Sequence, residues 1–276
     1  MSNLKKITLI VVELVIIAAV FYFGYNFYLD NSGQYKLLNI SSYTSDEFSR
    51  DIATGMENIK SKYDVEILVA DEDYDGDNIT FKKVDLSNSN EVSDLIKQVE
   101  ACLSNMPKEL FETYENGIQF IYVNELALNN IDGGAIAVGY TVQNKGKDRA
   151  EIYISSSNNT YSLEGATYEQ TVYHELFHLL DNVFEFDKDV YKELNPQCFE
   201  YGNVSEAEYL QQANYFVNYY ATYSVEEDMC EVFANFSGDS SYFSYTKAIT
   251  GKWDLIRETL EEQSKDVEFI KFIKSR

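Results

Sequence analysis

The chain has 276 residues, 45% hydrophobic and 15% aromatic, with 46 acidic against 22 basic side chains and a formal net charge of −24. That balance argues against nucleic acid as a partner, because phosphate contacts need patches of Lys and Arg. The abundant aromatics (23 Tyr, 17 Phe) exclude an acidic disordered tail, and three cysteines, Cys102, Cys198 and Cys230, are too few for a disulfide framework.

The chain opens on a separate unit. Ile7 to Phe23 is apolar apart from Thr8 and Glu13, and extension through Leu29 reaches the ~20 residues of a membrane helix. Lys5 and Lys6 precede it and acids dominate after it, which keeps the N-terminus inside. A cleaved signal peptide is the rival, but Phe21, Tyr22 and Phe23 occupy the region where a small-x-small cleavage pattern would fall. The expected organisation is a cytoplasmic tail over 1–6, a single transmembrane anchor over 7–29, a polar tether over 30–45 and an extracellular domain over 46–276. Glu13 is unusual for a lipid-facing segment.

Asp71 to Asn78, DEDYDGDN, matches the opening positions of a calcium loop. Lys82 stands where the bidentate acid belongs, so an acidic turn between strands is the better expectation. Asn90 to Leu103 carries Val92, Leu95, Ile96, Val99 and Cys102 at helical spacing. Ile118–Val123, Ala135–Thr141 and Ala150–Ser155 read as strands, the last two able to pair as a hairpin, with breaks at Gly133-Gly134 and Asn144–Asp148. From about Thr167 onward the pattern is helical: the segment around 174–178, then Glu206–Tyr220, Val225–Phe236, Thr246–Glu262 and Val267–Ile273. Mixed α and β over 46–182 followed by helices over 183–276 is an α+β arrangement.

Both histidines of the chain lie in one nonapeptide, YHELFHLLD, Tyr173 to Asp181. Positions i and i+4 share a helix face, about 5–6 Å apart at Cβ. His174 and His178 can therefore offer ring nitrogens to one ion at about 2.0–2.1 Å. Glu175 is offset to one side, within reach of a water rather than of the ion. Zinc hydrolysis divides the labour in this way: Zn²⁺ brings the pKa of its water toward ~7, and a carboxylate takes the proton and delivers it to the leaving amine. A catalytic zinc needs three protein ligands. Asp181 and Phe184 stand where a metzincin would have Gly and His, which excludes that subclass. The third ligand is a carboxylate or a cysteine from elsewhere.

Tyr219 to Phe236, YYATYSVEEDMCEVFANF, supplies the candidates. Glu227 and Glu231 are i and i+4 on one face, Cys230 is a possible thiolate, and Ser224 with Glu227 also fits a capping box. Glu226 and Asp228 point to either side of Glu227 and are expected to tolerate alanine.

HExxH followed some fifty residues later by this acidic helix resembles the gluzincin-type metallopeptidases, and more closely the group of anthrax lethal factor and the Pro-Pro endopeptidases. The likeness runs from about Ile118 to Phe236. It implies a zincin-like fold, a mixed sheet beside the active-site helix and then a helical part. It also implies one Zn²⁺ per chain held by His174, His178 and Glu227. Glu175 would be the general base, Glu231 a supporting acid and Tyr220 a residue facing the bound water and oxyanion. Asp181 completes the HExxHxxD form. Ala150–Ser155 is the expected edge strand, pairing with an extended peptide as substrate. The implied function is a membrane-anchored extracellular zinc endopeptidase. A zinc-stabilised binding ectodomain without turnover and a cell-wall peptide amidase are the alternatives.

Overall fold

The computed structural model describes residues 37–38, 47–84, 89–129, 135–144, 149–156, 168–202, 204–238 and 245–276. The expected tail (1–6) and membrane anchor (7–29) lie outside them, as does Gly133-Gly134. Among the described residues no helix is long and apolar enough to cross a membrane.

In chain order the elements are β1 (Leu37–Leu38), α1 (Glu47–Tyr63), β2 (Val65–Ala70), β3 (Tyr74–Asp75), β4 (Ile79–Lys82), α2 (Ser89–Leu103), α3 (Lys108–Thr113), β5 (Ile118–Val123), β6 (Glu125–Leu128), β7 (Ala135–Ile136), β8 (Gly139–Asn144) and β9 (Arg149–Ser155). The helical part follows with α4 (Tyr168–Val183), α5 (Lys188–Lys192), α6 (Glu206–Gln212), α7 (Val225–Ser237), α8 (Lys247–Gln263) and α9 (Val267–Lys274). β1 falls within the stretch expected as a tether and pairs antiparallel with β2.

A five-stranded sheet in the order β1-β2-β5-β9-β8 forms the frame. Its centre, β2, β5 and β9, is parallel, and β8 returns antiparallel to β9. Register aligns Val65 with Ile118 and Ala150, Ile67 with Phe120 and Ile152, and Val69 with Tyr122 and Ile154. These rows are buried among Ile52, Met56 and Ile59 of α1 and Val92, Leu95 and Val99 of α2, together with α4. The alternate residues Leu68, Ile121 and Tyr153 are also buried. On their face a second, antiparallel sheet β3-β4-β6-β7 brings the ring of Phe81 to 6.1 Å from that of Tyr153. Strands covered on both faces read as apolar runs rather than as alternation, and that is why IQFIYV is so uniform.

The acidic stretch Asp71–Asn78 makes the turn into β3 and β4. Asp73 accepts from Lys83 N and from Lys82 Nζ, both at 3.0 Å, so its carboxylate is engaged within the turn.

Three expectations are corrected. Ala135–Thr141 is not one strand: Ala135–Ile136 belongs to the second sheet and β8 to the first. The hand-over is marked by Ala137 N donating to Leu126 O at 3.0 Å and Ser155 N to Val138 O at 2.9 Å. Ala150–Ser155 is not an edge: β9 is flanked by β5 and β8, and every residue from Ala150 to Ser155 is buried. Among the described strands, the edge on that side is β8 and the other is β1. Finally, helix covers only Glu206–Gln212 of the expected Glu206–Tyr220, with 3₁₀ turns at Ala213–Tyr215 and Tyr220–Thr222. Phe216 is extended (φ −129°, ψ 144°) and its buried ring packs 4.6 Å from Phe199, a tertiary contact that takes the chain out of the helix.

The helical part is built on α4 against α7. Phe177 and Phe233 meet at 4.8 Å between ring centroids, and Phe236 stacks on Trp253 of α8 at 4.9 Å. Beside this apolar contact lies a wholly buried ion pair, Lys252 Nζ to Asp228 Oδ2 at 2.6 Å. Tyr201 Oη donates to the same oxygen at 2.7 Å, and Lys252 also donates to Tyr215 O at 2.8 Å.

Candidate metal centre

α4 presents its two histidines toward α7. Their rings are 5.0 Å apart and edge to face, the separation being that of residues one helical turn apart. α7 begins at Ser224, whose Oγ accepts from Glu227 N at 3.1 Å. The cap runs one way only. The Glu227 carboxylate does not reach back to the cap but turns to the histidines, so the capping-box reading of Glu227 accounts for its backbone and not for its side chain.

Glu227 Oε2 lies 3.0 Å from His174 Nε2 and 3.6 Å from His178 Nε2. It is buried and makes no hydrogen bond of proper geometry. Ligand atoms of a tetrahedral zinc with bonds of about 2.0–2.2 Å sit roughly 3.3 Å apart. The Glu227 oxygen thus lies near this spacing from a nitrogen of each ring. Behind them, His174 Nδ1 is 2.8 Å from Glu231 Oε1, and Asn218 Nδ2 donates to Glu231 Oε2 at 2.6 Å. His178 Nδ1 faces Cys230 Sγ at 3.4 Å. The donor set fits a divalent ion of borderline softness, two imidazoles and a carboxylate.

A second donor set is also close: ligand atoms of His174, His178 and Cys230 lie within 4.8 Å of one another. The two sets use different nitrogens of His178. The Nε2 atoms of both rings approach one common oxygen, whereas Cys230 stands at Nδ1 of the His178 ring.

Glu175 is 4% exposed and lies beside the candidate metal position on the β8 side. Thr141 Oγ1 of β8 donates to its Oε2 at 2.6 Å. Gly139 of the same strand leaves room for the carboxylate, since a Cβ there would collide with Oε1. Two residues further along β8, Gln143 Nε2 donates to His178 O at 2.8 Å. Asn182 Nδ2 donates to the same carbonyl at 3.0 Å and to Gln143 Oε1 at 2.6 Å. The Tyr220 ring, 44% exposed, stands 5.9 Å from His174 at the open side. Tyr219 is directed elsewhere, donating to Val204 O at 2.7 Å.

Glu227 and His174 hold one another in their charged forms. Burial opposes ionisation of Glu227, yet the imidazoles of His174 and His178 outweigh it and hold the carboxyl well below its ordinary range. Burial likewise opposes charge on His174, and Glu227 with Glu231 holds it well above its ordinary value. Burial pushes the Glu175 carboxyl up, against His174, His178 and Thr141.

The remaining sequence candidates lie further out. Asp181 pairs with Lys188 at 2.7 Å, and the same ammonium reaches Glu226 at 2.9 Å, tying α4 to the start of α7. Asp228, expected to tolerate alanine, is instead the buried partner of Lys252, because its side chain points into the packed interior rather than to solvent. Thr141, Gln143, Asn182 and Asn218 have no motif. Only the topology that lays β8 along α4, and the turn before α7, brings them to the site.

Residues 122–252, a little under half of the chain, match a family model described as "Putative zinc-binding metallo-peptidase". The matched span contains both histidines, Glu175, Glu227, Glu231, Tyr220 and β8. A similar solved structure is described as a putative zinc-binding metallo-peptidase from Bacteroides caccae ATCC 43185. It is 15% identical, with 84% of this chain and 94% of that one covered, at a TM-score of 0.48. That likeness is too distant to carry an argument about chemistry. No curated protein matches the sequence. What the family match gives is a resemblance to zinc-binding metallo-peptidases over the span that holds the site; the gluzincin-type grouping rests on the motifs alone.

Proposed function

We propose that this chain is a zinc-dependent endopeptidase in which His174 Nε2, His178 Nε2 and the Glu227 carboxylate hold the ion. The observation that carries the reading is the buried, hydrogen-bond-free Oε2 of Glu227 between the two Nε2 atoms. A zinc ion held there would polarise a substrate carbonyl as a Lewis acid and lower the pKa of a water toward ~7.

The chain's own residues do the rest. Glu175, in a position too offset to join the ligands, receives the proton of the attacking water and passes it to the leaving amine. Its raised pKa suits a group that must hold a proton between these two steps. Thr141 fixes one carboxylate oxygen while Gly139 leaves the other accessible. Tyr220, at the open side of His174, donates to the oxygen that gains charge in the transition state.

The substrate pairs with β8, not β9. In an antiparallel ladder the main-chain groups of alternate residues face inward and outward. Ser155 N bonds to Val138 O, so Tyr140 and Val142 face β9 while the N–H and C=O groups of Gly139, Thr141 and Gln143 face outward. Among the described residues no strand occupies that edge. An extended peptide laid there runs past Glu175. The anchor over 7–29 holds the domain outside the cell, supported by the apolar run after Lys5 and Lys6.

The test is incubation of the chain with a peptide library, with and without a chelator. Cleavage that chelation abolishes and zinc restores is the expected outcome. Glu175→Gln should keep its zinc and lose roughly 10²–10⁴-fold in turnover. A mutant that cleaves like the parent would remove Glu175 from the chemistry.

A further inference from the structure

The two histidines are backed differently. A histidine that gives the Nε2 lone pair to a metal carries its proton on Nδ1, and the partner of that N–H fixes the ring. For His174 the partner is the Glu231 carboxylate at 2.8 Å, itself held by Asn218. For His178 the only group at hydrogen-bond distance from Nδ1 among the described contacts is Cys230 Sγ at 3.4 Å.

Resting on the ligand set proposed above, we infer that Cys230 is a positioning residue for His178: its sulfur accepts from Nδ1–H and turns Nε2 toward Glu227, and it does not bind the metal.

Three observations carry this. The in-plane directions of the two imidazole nitrogens diverge widely, so one ring gives one ion only one of them. His178 directs Nε2 to Glu227 Oε2 and Nδ1 to Cys230. An ion shared with Cys230 would have to sit on the Nδ1 edge, away from the oxygen that both Nε2 atoms approach. Secondly, the backbone of the His178 turn is already pinned, with Gln143 and Asn182 both donating to His178 O. What remains to be set is the rotation of the ring, and Cys230, 1% exposed on α7, is fixed by the same packing that delivers Glu227. Thirdly, three carboxylates already crowd the centre: Glu175, Glu227 and Glu231. A carboxylate behind the second histidine would add a fourth acid to a site already shielded from solvent, which is costly. A neutral thiol orients the ring without adding one.

The experiment uses the full chain. The metal is replaced by Co²⁺ and the absorption spectrum is recorded for the parent and for Cys230→Ser; zinc affinity is measured by chelator competition for the parent, Cys230→Ser and Cys230→Ala. The expected result is a cobalt spectrum without an intense near-ultraviolet sulfur-to-metal band assignable to Cys230, hence the same in Cys230→Ser. Zinc affinity should fall about 10–100-fold in Cys230→Ala and be largely recovered in Cys230→Ser, whose oxygen can still accept. Nitrogen-15 shifts of His178 in the zinc-loaded protein should report a protonated Nδ1. A sulfur-to-cobalt band that disappears in Cys230→Ser would make Cys230 a ligand and overturn the inference while leaving a metal site in place. Unchanged zinc affinity in Cys230→Ala would overturn it too. If the full chain binds neither ion, the ligand set itself fails and the inference falls with it. Should Cys230→Ala not fold, the cobalt spectra and the nitrogen-15 shifts decide.

Discussion

Thr141 Oγ1 stands 2.6 Å from Glu175 Oε2, so the edge strand of the sheet grips the carboxylate next to the first histidine. A hydrogen bond to a charged group contributes roughly 1.5–3 kcal/mol. Thr141→Val keeps the shape of the side chain and removes the donor. Zinc content should be unchanged and turnover should fall about 10–100-fold. Equal turnover, measured on any peptide that the parent cleaves, would mean that Thr141 merely occupies space.

Gly139 tests the same grip sterically. A methyl group there collides with Glu175 Oε1, and the flexible carboxylate is what must move. Misplacing a reacting group by about 1 Å can cost ~10²-fold. Gly139→Ala is expected to retain the fold, as read by circular dichroism, and the zinc, while losing about that factor in kcat. A mutant with parental kcat would show that Glu175 can work from a second position.

The acids of α7 should separate cleanly in a zinc titration. Glu227→Ala removes the oxygen between the two Nε2 atoms and should all but abolish binding. Glu231→Ala, which leaves His174 Nδ1 without its carboxylate, should weaken it roughly 10–100-fold. Glu226→Ala loses only a half-exposed contact to Lys188 and should bind normally. Tight binding by Glu227→Ala would move the third ligand elsewhere.

Lys252 and Asp228 govern stability rather than chemistry. Both side chains are 0% exposed, and removing one partner of a buried pair leaves an uncompensated charge, at about 3–5 kcal/mol. Lys252→Met should therefore lower the urea midpoint substantially, and Asp228→Ala should do likewise. The double replacement Asp228→Leu with Lys252→Met should recover much of the loss. If either single mutant unfolds at the parental midpoint, the pair is not holding the fold.

Which parts of this were legible beforehand follows a physical division. The pair His174 and His178 is local, set by one helical turn, and so is the spacing of Glu227 and Glu231; periodicity finds both pairs, while the choice of Glu227 over Cys230 as ligand rests on the family resemblance. β5 and α2 were legible because a buried run and an amphipathic stripe are one-dimensional signals. The fate of Ala135–Thr141 was not. Its residues have similar local preferences, and only pairing with Leu126 on one side and Tyr153 on the other divides them between sheets. The same holds for Asp228, whose neighbour in space, Lys252, lies on a different helix. It holds also for Phe216, whose burial against Phe199 overrides helical propensity. Thr141 and Gln143 were hidden because which strand is the edge is a property of topology.

The packing of Phe177 on Phe233 has a consequence for the order of events. The histidines and Glu227 are about 50 residues apart, and closing such a loop carries an entropic cost of several kcal/mol. Here apolar surface closes it, since Tyr173, Phe177, Phe233 and Trp253 join α4, α7 and α8 in one buried cluster. Packing of the polypeptide itself therefore brings the proposed ligands together, so chelation is expected to leave the circular dichroism of the chain unchanged. Metal scarcity would silence such a molecule without unfolding it, and resupply would restore it without a chaperone.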